Sequence, residues 1–387
     1  MYSFKYYAPV ALFVGRGCVA DNAEVFPGKG ERAFVITSRF AEGCRNIALD
    51  DVCTVLRENV AEYFLWDEVE ENPSVESIRR VSDAIIDFDP SCIVAIGGGS
   101  ALDTAKAANI LIKYPKGADA YAVFYGGHQA RSGEKGQGRL PLIGIPTTAG
   151  SGSEVAGYAV LTRSDLHTKL RMDQFSFFRD AFLDARYIEN SPVWLLEAGA
   201  LDALAHGLES ALHVNSNYTS RMLTDLGFEL FRGYKDALLH RELKGVNFDD
   251  MLLAASVQGM AVVQSSTTLP HGMGYPLTHE KNIVHGMASC VCMSEYLKSF
   301  RRPESIAIVN DELKKCGFAD ADELGDYLAE IISRNVSPCV SEAEARAWIE
   351  SFSHDEGRMR RNIERFDAGD IERIYMKSLE KCGLLEK

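Results

Sequence analysis

SCIVAIGGGSALDTAKAAN, residues 91–109, decides the architecture. Its first half is a short apolar run bounded by turn residues, which predicts a strand buried in a sheet. Three consecutive glycines follow, and the chain then runs on into a helix. Gly97, Gly98 and Gly99 let the backbone come close to a ligand, and the helix start offers unpaired N–H groups and a positive dipole end to a phosphate. The stretch is neither G-x-G-x-x-G nor a P-loop, so a tight strand-to-helix turn without a ligand fits it as well.

Neighbouring segments extend the pattern. RAFVITS (32–38) and LPLIGIPTT (140–148) are further strand-like runs that lead into turns. Between the first two strands, SVESIRRVSDAIIDF (74–88) sets Val75, Ile78, Val81, Ile85 and Phe88 at helical spacing. Strands alternating with helices predict a parallel sheet covered on both faces. A second small-residue turn, PTTAGSGSEV (146–155), follows the third strand, and its hydroxyls at Thr147, Thr148 and Ser151 suit ribose or phosphate oxygens. A hydroxyl-rich loop capping its own helix is the plainer reading of that turn. Two such turns at strand carboxyl ends are where an open α/β sheet takes its ligand.

The 387 residues exceed what one core accommodates, and the texture changes near FLDARYIENSP (182–192). Beyond it, PVWLLEAGALDALAHGLESALHV, SRMLTDLGFELFRGYKDALL and DDMLLAASVQGMAVV read as long helices. The expected division is therefore an α/β domain over 1–184 and an all-helical domain over 185–387. RSGEKGQG (131–138) reads as an exposed loop.

With 41 basic against 55 acidic residues the net charge is -14, which disfavours nucleic acid and anionic membrane surfaces as partners. Nine scattered cysteines without paired C-x-x-C spacing read as reduced thiols. The first fifteen residues lack a signal-peptide core, and no apolar run approaches a membrane span, so the expected location is cytoplasmic.

DALAHGLESAL (202–212) puts Asp202 and His206 one helical turn apart on one face. Alone, the pair is equally an aspartate holding a histidine in one tautomer. HGMGYPLTHEKNIVHG (271–286) adds His271 and His285. One carboxylate and three neutral imidazoles make a site for Fe(II) or Zn(II), a Lewis acid for a substrate oxygen.

Together GGGSALDTAK, PTTAGSGSEV, DALAHGLES and HGMGYPLTHEKNIVHG, with Asn72-Pro73 ahead of them, resemble the iron-dependent (group III) alcohol dehydrogenase family. The resemblance runs to about residue 300. It implies a Rossmann-like N-terminal domain, a helical C-terminal domain of dehydroquinate synthase-like architecture, and a nicotinamide cofactor. Carried over, it implies Asp202, His206, His271 and His285 as metal ligands. Gly97, Gly98, Gly99 and Ser100 would hold the pyrophosphate, Thr147 and Thr148 would lie toward the nicotinamide, and Asn72, Asp103 and Lys169 are further cofactor-side candidates. A homodimer is the assembly it implies.

Two departures from the family pattern stand out. Where many members carry an aspartate after the first strand, this chain has Ser38 and then Arg39, which favours NADP(H) over NAD(H). Four residues after the third ligand, where a histidine is common, stands Tyr275. A phenol donates a hydrogen bond but holds its proton at neutral pH, which makes it a poorer relay than imidazole. His279 is expected to be a bystander, and the glycines following His271 and His285 to give room near cofactor and substrate. The function implied is reversible hydride transfer between NADP(H) and a small primary alcohol or its aldehyde. The alternatives are a dehydroquinate synthase-like lyase and a binding homologue without turnover.

Overall fold

The computed structural model describes residues 3–39, 45–59, 61–126, 139–163, 165 and 168–386. The chain forms two compact units, one of Ala8–Ser191 and one of Pro192–Lys387 joined by Met1–Tyr7. The expected loop at 131–138 and Cys44 lie outside the described residues.

The first unit holds a six-stranded sheet: β1 (Ala11–Val14), β2 (Arg32–Thr37), β3 (Glu62–Trp66), β4 (Cys92–Gly97), β5 (Leu142–Pro146) and β8 (Asp180–Leu183). Its spatial order is β1-β8-β5-β4-β2-β3, and every pairing is parallel. Alternate residues feed opposite layers. Phe34, Ile36, Ile93 and Ala95 pack with helices Val75–Phe88, Gly99–Leu111 and Ala120–Tyr125. Ala33, Val35, Val94 and Ile96 pack with helix Ile47–Glu58. Burial on both faces is why β2 and β4 read as unbroken apolar runs rather than alternating ones. A separate antiparallel pair, β6 (Val160–Arg163) with β7 (Thr168–Arg171), lies outside this sheet.

Strand order reverses between β2 and β4, because β3 is added on one side of β2 and β4 on the other. The crevice beyond the carboxyl ends of such strands is the binding position of an open α/β sheet. Ser38 and Arg39 follow β2, Asn72 lies in the loop after β3, Gly97 ends β4 with Gly98–Ser100 after it, and Thr147 follows β5. All the cofactor-side candidates on these loops therefore share one edge of the sheet.

The second unit is helical, with no strand among its described residues. Helices Val193–Ala211, Tyr218–Leu239 and Val246–Ser265 pack closely at two glycines. A Cβ on Gly207 or Gly227 would collide with Gln258, whose amide donates to Thr224 O at 3.3 Å. No described helix is long and apolar enough to cross a membrane. The described cysteines are free thiols, and burial pushes Cys18 and Cys92 up to about 12, so they are inert.

Candidate metal centre

Helix Val193–Ala211 is buried along most of its length and presents Asp202, His206 and Glu209 at i, i+4 and i+7. The 266–268 turn then leads into helix Leu269–Lys281, which carries His271 in its first turn with Pro270 beside it. That helix ends at Asn282, which adopts a left-handed φ of 55°, and the chain reverses to start helix His285–Val291 with His285 itself.

These three segments converge on one point. Ligand atoms of Asp202, His271 and His285 lie within 4.8 Å of one another. From Asp202 Oδ1 the Nε2 atoms of His271, His206 and His285 stand at 3.5, 4.0 and 4.0 Å. The rings of His206 and His271 stack at 4.6 Å, and those of His271 and His285 meet edge-on at 5.4 Å. Bonds of about 2.0–2.2 Å to one ion separate its ligands by roughly 3–4 Å, so the spacing suits a shared cation.

Hydrogen bonding gives the same answer. Asp202 Oδ1 and His271 Nε2 are both buried without a hydrogen-bond partner. Burying such atoms unpaired is costly, and a cation satisfies them together. Burial raises the Asp202 carboxyl's proton affinity, but the three histidines beside it outweigh this and hold it below the usual range. Burial likewise opposes charge on His271, yet the Glu209 and Asp202 carboxylates raise it well above an ordinary histidine. The two shifts reflect the mutual attraction of carboxylates and imidazoles packed together out of water.

Glu209 is a residue that the spacing of Asp202 and His206 should have flagged. It is fully buried and accepts from His271 Nδ1, leaving Nε2 for the cage. Its other oxygen accepts from Thr268 N at 2.6 Å, Thr268 Oγ1 at 3.1 Å and His271 N at 3.5 Å. One carboxylate thus caps the helix that carries a ligand and fixes that ligand's tautomer.

Tyr275, one turn after His271, places its ring 6.1 Å from that of His285. The Arg358 guanidinium lies 4.8 Å from the centroid of the same ring. The glycines after the histidines are tightly packed. A Cβ on Gly272 would collide with Arg358 Nη1, and one on Gly286 with Ala198 O and Asp202 Cβ. His279 is not among the converging groups.

In the α/β unit, the turn after β4 is shaped by main chain. Gly97 has φ 150°, and a Cβ there would meet Ala101. Side chains on Gly98 or Gly99 would press on Thr148 and Ser151, so the two predicted turns touch. Thr147 N donates to Gly97 O at 3.0 Å. Ser100 Oγ accepts from Asn72 N at 3.1 Å, and Lys169 Nζ donates to Asn72 Oδ1 at 2.7 Å.

Asp103 faces inward instead. It accepts from Ser153 Oγ at 2.6 Å, Val160 N at 2.8 Å and Lys106 Nζ at 2.8 Å. Lys106, fully buried, also reaches Ser153 O, Ala156 O and Tyr158 O at 3.0, 3.2 and 2.6 Å, tying the loop beyond β5 to the helix. Arg39 is exposed and paired with Glu68 at 3.0 Å and Asp67 at 3.3 Å.

An α/β sheet with ligand-side turns and a helical unit bearing an Asp-His cage define a metal-dependent, dinucleotide-linked class of protein. The model of the family described as iron-containing alcohol dehydrogenase matches residues 9–184, and that of the Fe-containing alcohol dehydrogenase C-terminal region matches residues 197–332. The chain belongs to the iron-containing alcohol dehydrogenase family.

Among relatives, it is 27% identical over 317 residues to a sulfoacetaldehyde reductase of Bilophila wadsworthia, covering 81% of this chain and 79% of that one. It is 26% identical over 326 residues to a 4-hydroxybutyrate dehydrogenase of Clostridium kluyveri (79% and 83%). Its match to the bifunctional aldehyde-alcohol dehydrogenase AdhE of Escherichia coli is 27% identical, covering 75% of this chain but only 33% of that longer protein. An iron-containing alcohol dehydrogenase from Thermotoga maritima superposes with a TM-score of 0.85 at 29% identity, over 98% of this chain and 100% of that one.

Proposed function

We propose that this chain is a metal-dependent, nicotinamide-linked alcohol dehydrogenase that works chiefly as a reductase of short aldehydes. One observation carries the reading: Asp202 Oδ1 and His271 Nε2, buried and without hydrogen-bond partners, sit in a cluster with His285, and His206 Nε2 stands 4.0 Å from the same carboxylate oxygen, all groups of the kind that bind Fe(II). When bound, the cation supplies Lewis acidity to the substrate oxygen, and the nicotinamide carries the hydride. Iron is the ion we propose over zinc, in line with the family. A cytoplasmic homodimer belongs to the same reading.

The chain's own residues do the positioning. Asp202, His206, His271 and His285 hold the ion, with Glu209 fixing the His271 tautomer. Tyr275, whose ring stacks on that of His285, lines the substrate pocket and offers it a phenolic donor. Gly97, Gly98, Gly99 and Ser100 seat the pyrophosphate, while Thr147, Thr148 and Ser151 face the nicotinamide end. Asn72, held by Ser100 and Lys169, completes that side, and Asp103 keeps the second turn in register.

NADP(H) is the favoured cofactor, because Ser38 leaves no carboxylate against a 2'-phosphate and Arg39 supplies a guanidinium. Its exposed pairs with Glu68 and Asp67 contribute about 0–1 kcal/mol, little enough for a phosphate to displace them. Arg39→Ala is expected to raise KM for NADPH about tenfold and leave that for NADH near its starting value. Sulfoacetaldehyde and 4-hydroxybutyrate, named for two relatives, are both short molecules, consistent with a small pocket.

The test is oxidation of NADPH and NADH by the Fe(II)-loaded protein with a panel of two- to four-carbon aldehydes. Turnover with a preference for NADPH is expected. No turnover across the panel sinks the reading.

A further inference from the structure

We propose that Arg358 recognises an acidic group at the far end of the substrate, so that the preferred aldehydes are short chains ending in a carboxylate or sulfonate. The proposal rests on the functional reading above, which puts the carbonyl end at the cage.

Arg358 belongs to the short helix Glu356–Met359, far in sequence from the cage, yet its side chain is largely covered. Its Nε pairs with Asp355 at 3.0 Å, which uses one edge of the guanidinium. The terminal nitrogens make no hydrogen bond to any described residue, whereas those of Arg241, Arg301, Arg302, Arg334, Arg346, Arg360 and Arg373 reach a carboxylate or carbonyl. One of them, Nη1, occupies the space that a side chain on Gly272 would fill, immediately beside His271.

The guanidinium lies over the Tyr275 ring, which in turn stacks on that of His285. The cation and a cage imidazole thus both contact one aromatic ring. A planar fork with an unused edge is the group that binds a carboxylate or sulfonate through paired hydrogen bonds. Stacking on Tyr275 holds its plane, so little freedom is lost when the anion arrives.

Steady-state kinetics on the full-length Fe(II)-loaded protein test this with matched pairs: 4-oxobutanoate against butanal, and 2-sulfoacetaldehyde against propanal. The charged member of at least one pair is expected to have the higher kcat/KM, and which pair responds tells carboxylate from sulfonate. Arg358→Gln should lower the charged-to-neutral ratio by about tenfold or more, mainly through KM, as expected for loss of a charge-assisted pair. Arg358→Lys should restore part of it, and the exposed Arg360→Gln should leave the ratio unchanged. An unchanged ratio in Arg358→Gln, or equal losses for both members, overturns the proposal. If no aldehyde turns over, the functional reading fails, and calorimetry with 4-hydroxybutanoate and butan-1-ol decides the role of Arg358 separately. Tighter binding of the acid that Arg358→Gln abolishes supports it; equal binding of the two overturns it.

Discussion

Among the charged clusters that the two units bury, one in each is opposite in kind to the other. In the α/β unit, Lys106 and Asp103 meet Ser153, Ala156, Tyr158 and Val160, so that donors and acceptors close on one another within the protein. In the helical unit, Asp202 and the histidines face inward to a common point, with Asp202 Oδ1 and His271 Nε2 lacking a hydrogen-bond partner and 3.5 Å from each other. Both are desolvated at a cost of several kcal/mol per charge. A cluster that is complete in itself holds a loop in place; one that is incomplete must take something up. Identity of the buried groups says little, and the balance of donors and acceptors says most.

The sharpest way to break this contrast is to remove the group at the centre of the incomplete cluster. Asp202→Ala should lose bound iron by elemental analysis and lower aldehyde reduction on the order of 10^4-fold; a variant that keeps stoichiometric iron would show that the cage is not the binding site. Next comes the complete cluster, where Lys106→Met strands Asp103 and should cost about 3–5 kcal/mol in urea unfolding. A near-neutral change there would mean that Lys106 is not the tie between helix and loop.

Histidines sharpen it further, because two of them shift in opposite directions. Carboxylates raise His271, whereas His213 is pushed down to about 4 by burial and then by Arg361. Unfolded, its imidazole takes up a proton near pH 6.5, but the native one does not until about 4. Its contribution to stability is therefore full above pH 6.5 and declines as pH falls toward 4, by up to about 3 kcal/mol. Denaturation series between pH 7 and 4 should show this slope, and His213→Gln should flatten it. The smallest effect is expected at Glu209→Gln, which keeps the shape and weakens the His271 support. Chelator competition should report iron affinity reduced about 10–100-fold.

Legibility in the sequence followed burial. β2, β4 and β5 were visible because burial on both faces writes an apolar run. β3 was not, since it lies at a sheet edge with Phe64 and Leu65 exposed, and β1 and β8 are only four residues each. Asp202, His206, His271 and His285 were readable because helical spacing and one chain reversal bring them together. Glu209 lay one further turn along the same face and was passed over, as a glutamate in a helix usually faces solvent. Arg358 had no local sign at all, because only tertiary packing sets it on Tyr275. Arg39 is legible from its place after β2, but its partners Asp67 and Glu68 are not, because they come from beyond the neighbouring strand.

Gly286 has a mechanical consequence. Because a methyl group there would strike both the Ala198 carbonyl and Asp202 Cβ, the helix bearing His285 rests directly on the backbone of the helix bearing Asp202. The gap between those two ligands is then set by main-chain contact, which yields far less than side chains do. Gly286→Ala is expected to force the two helices apart and lower the iron bound, read by elemental analysis.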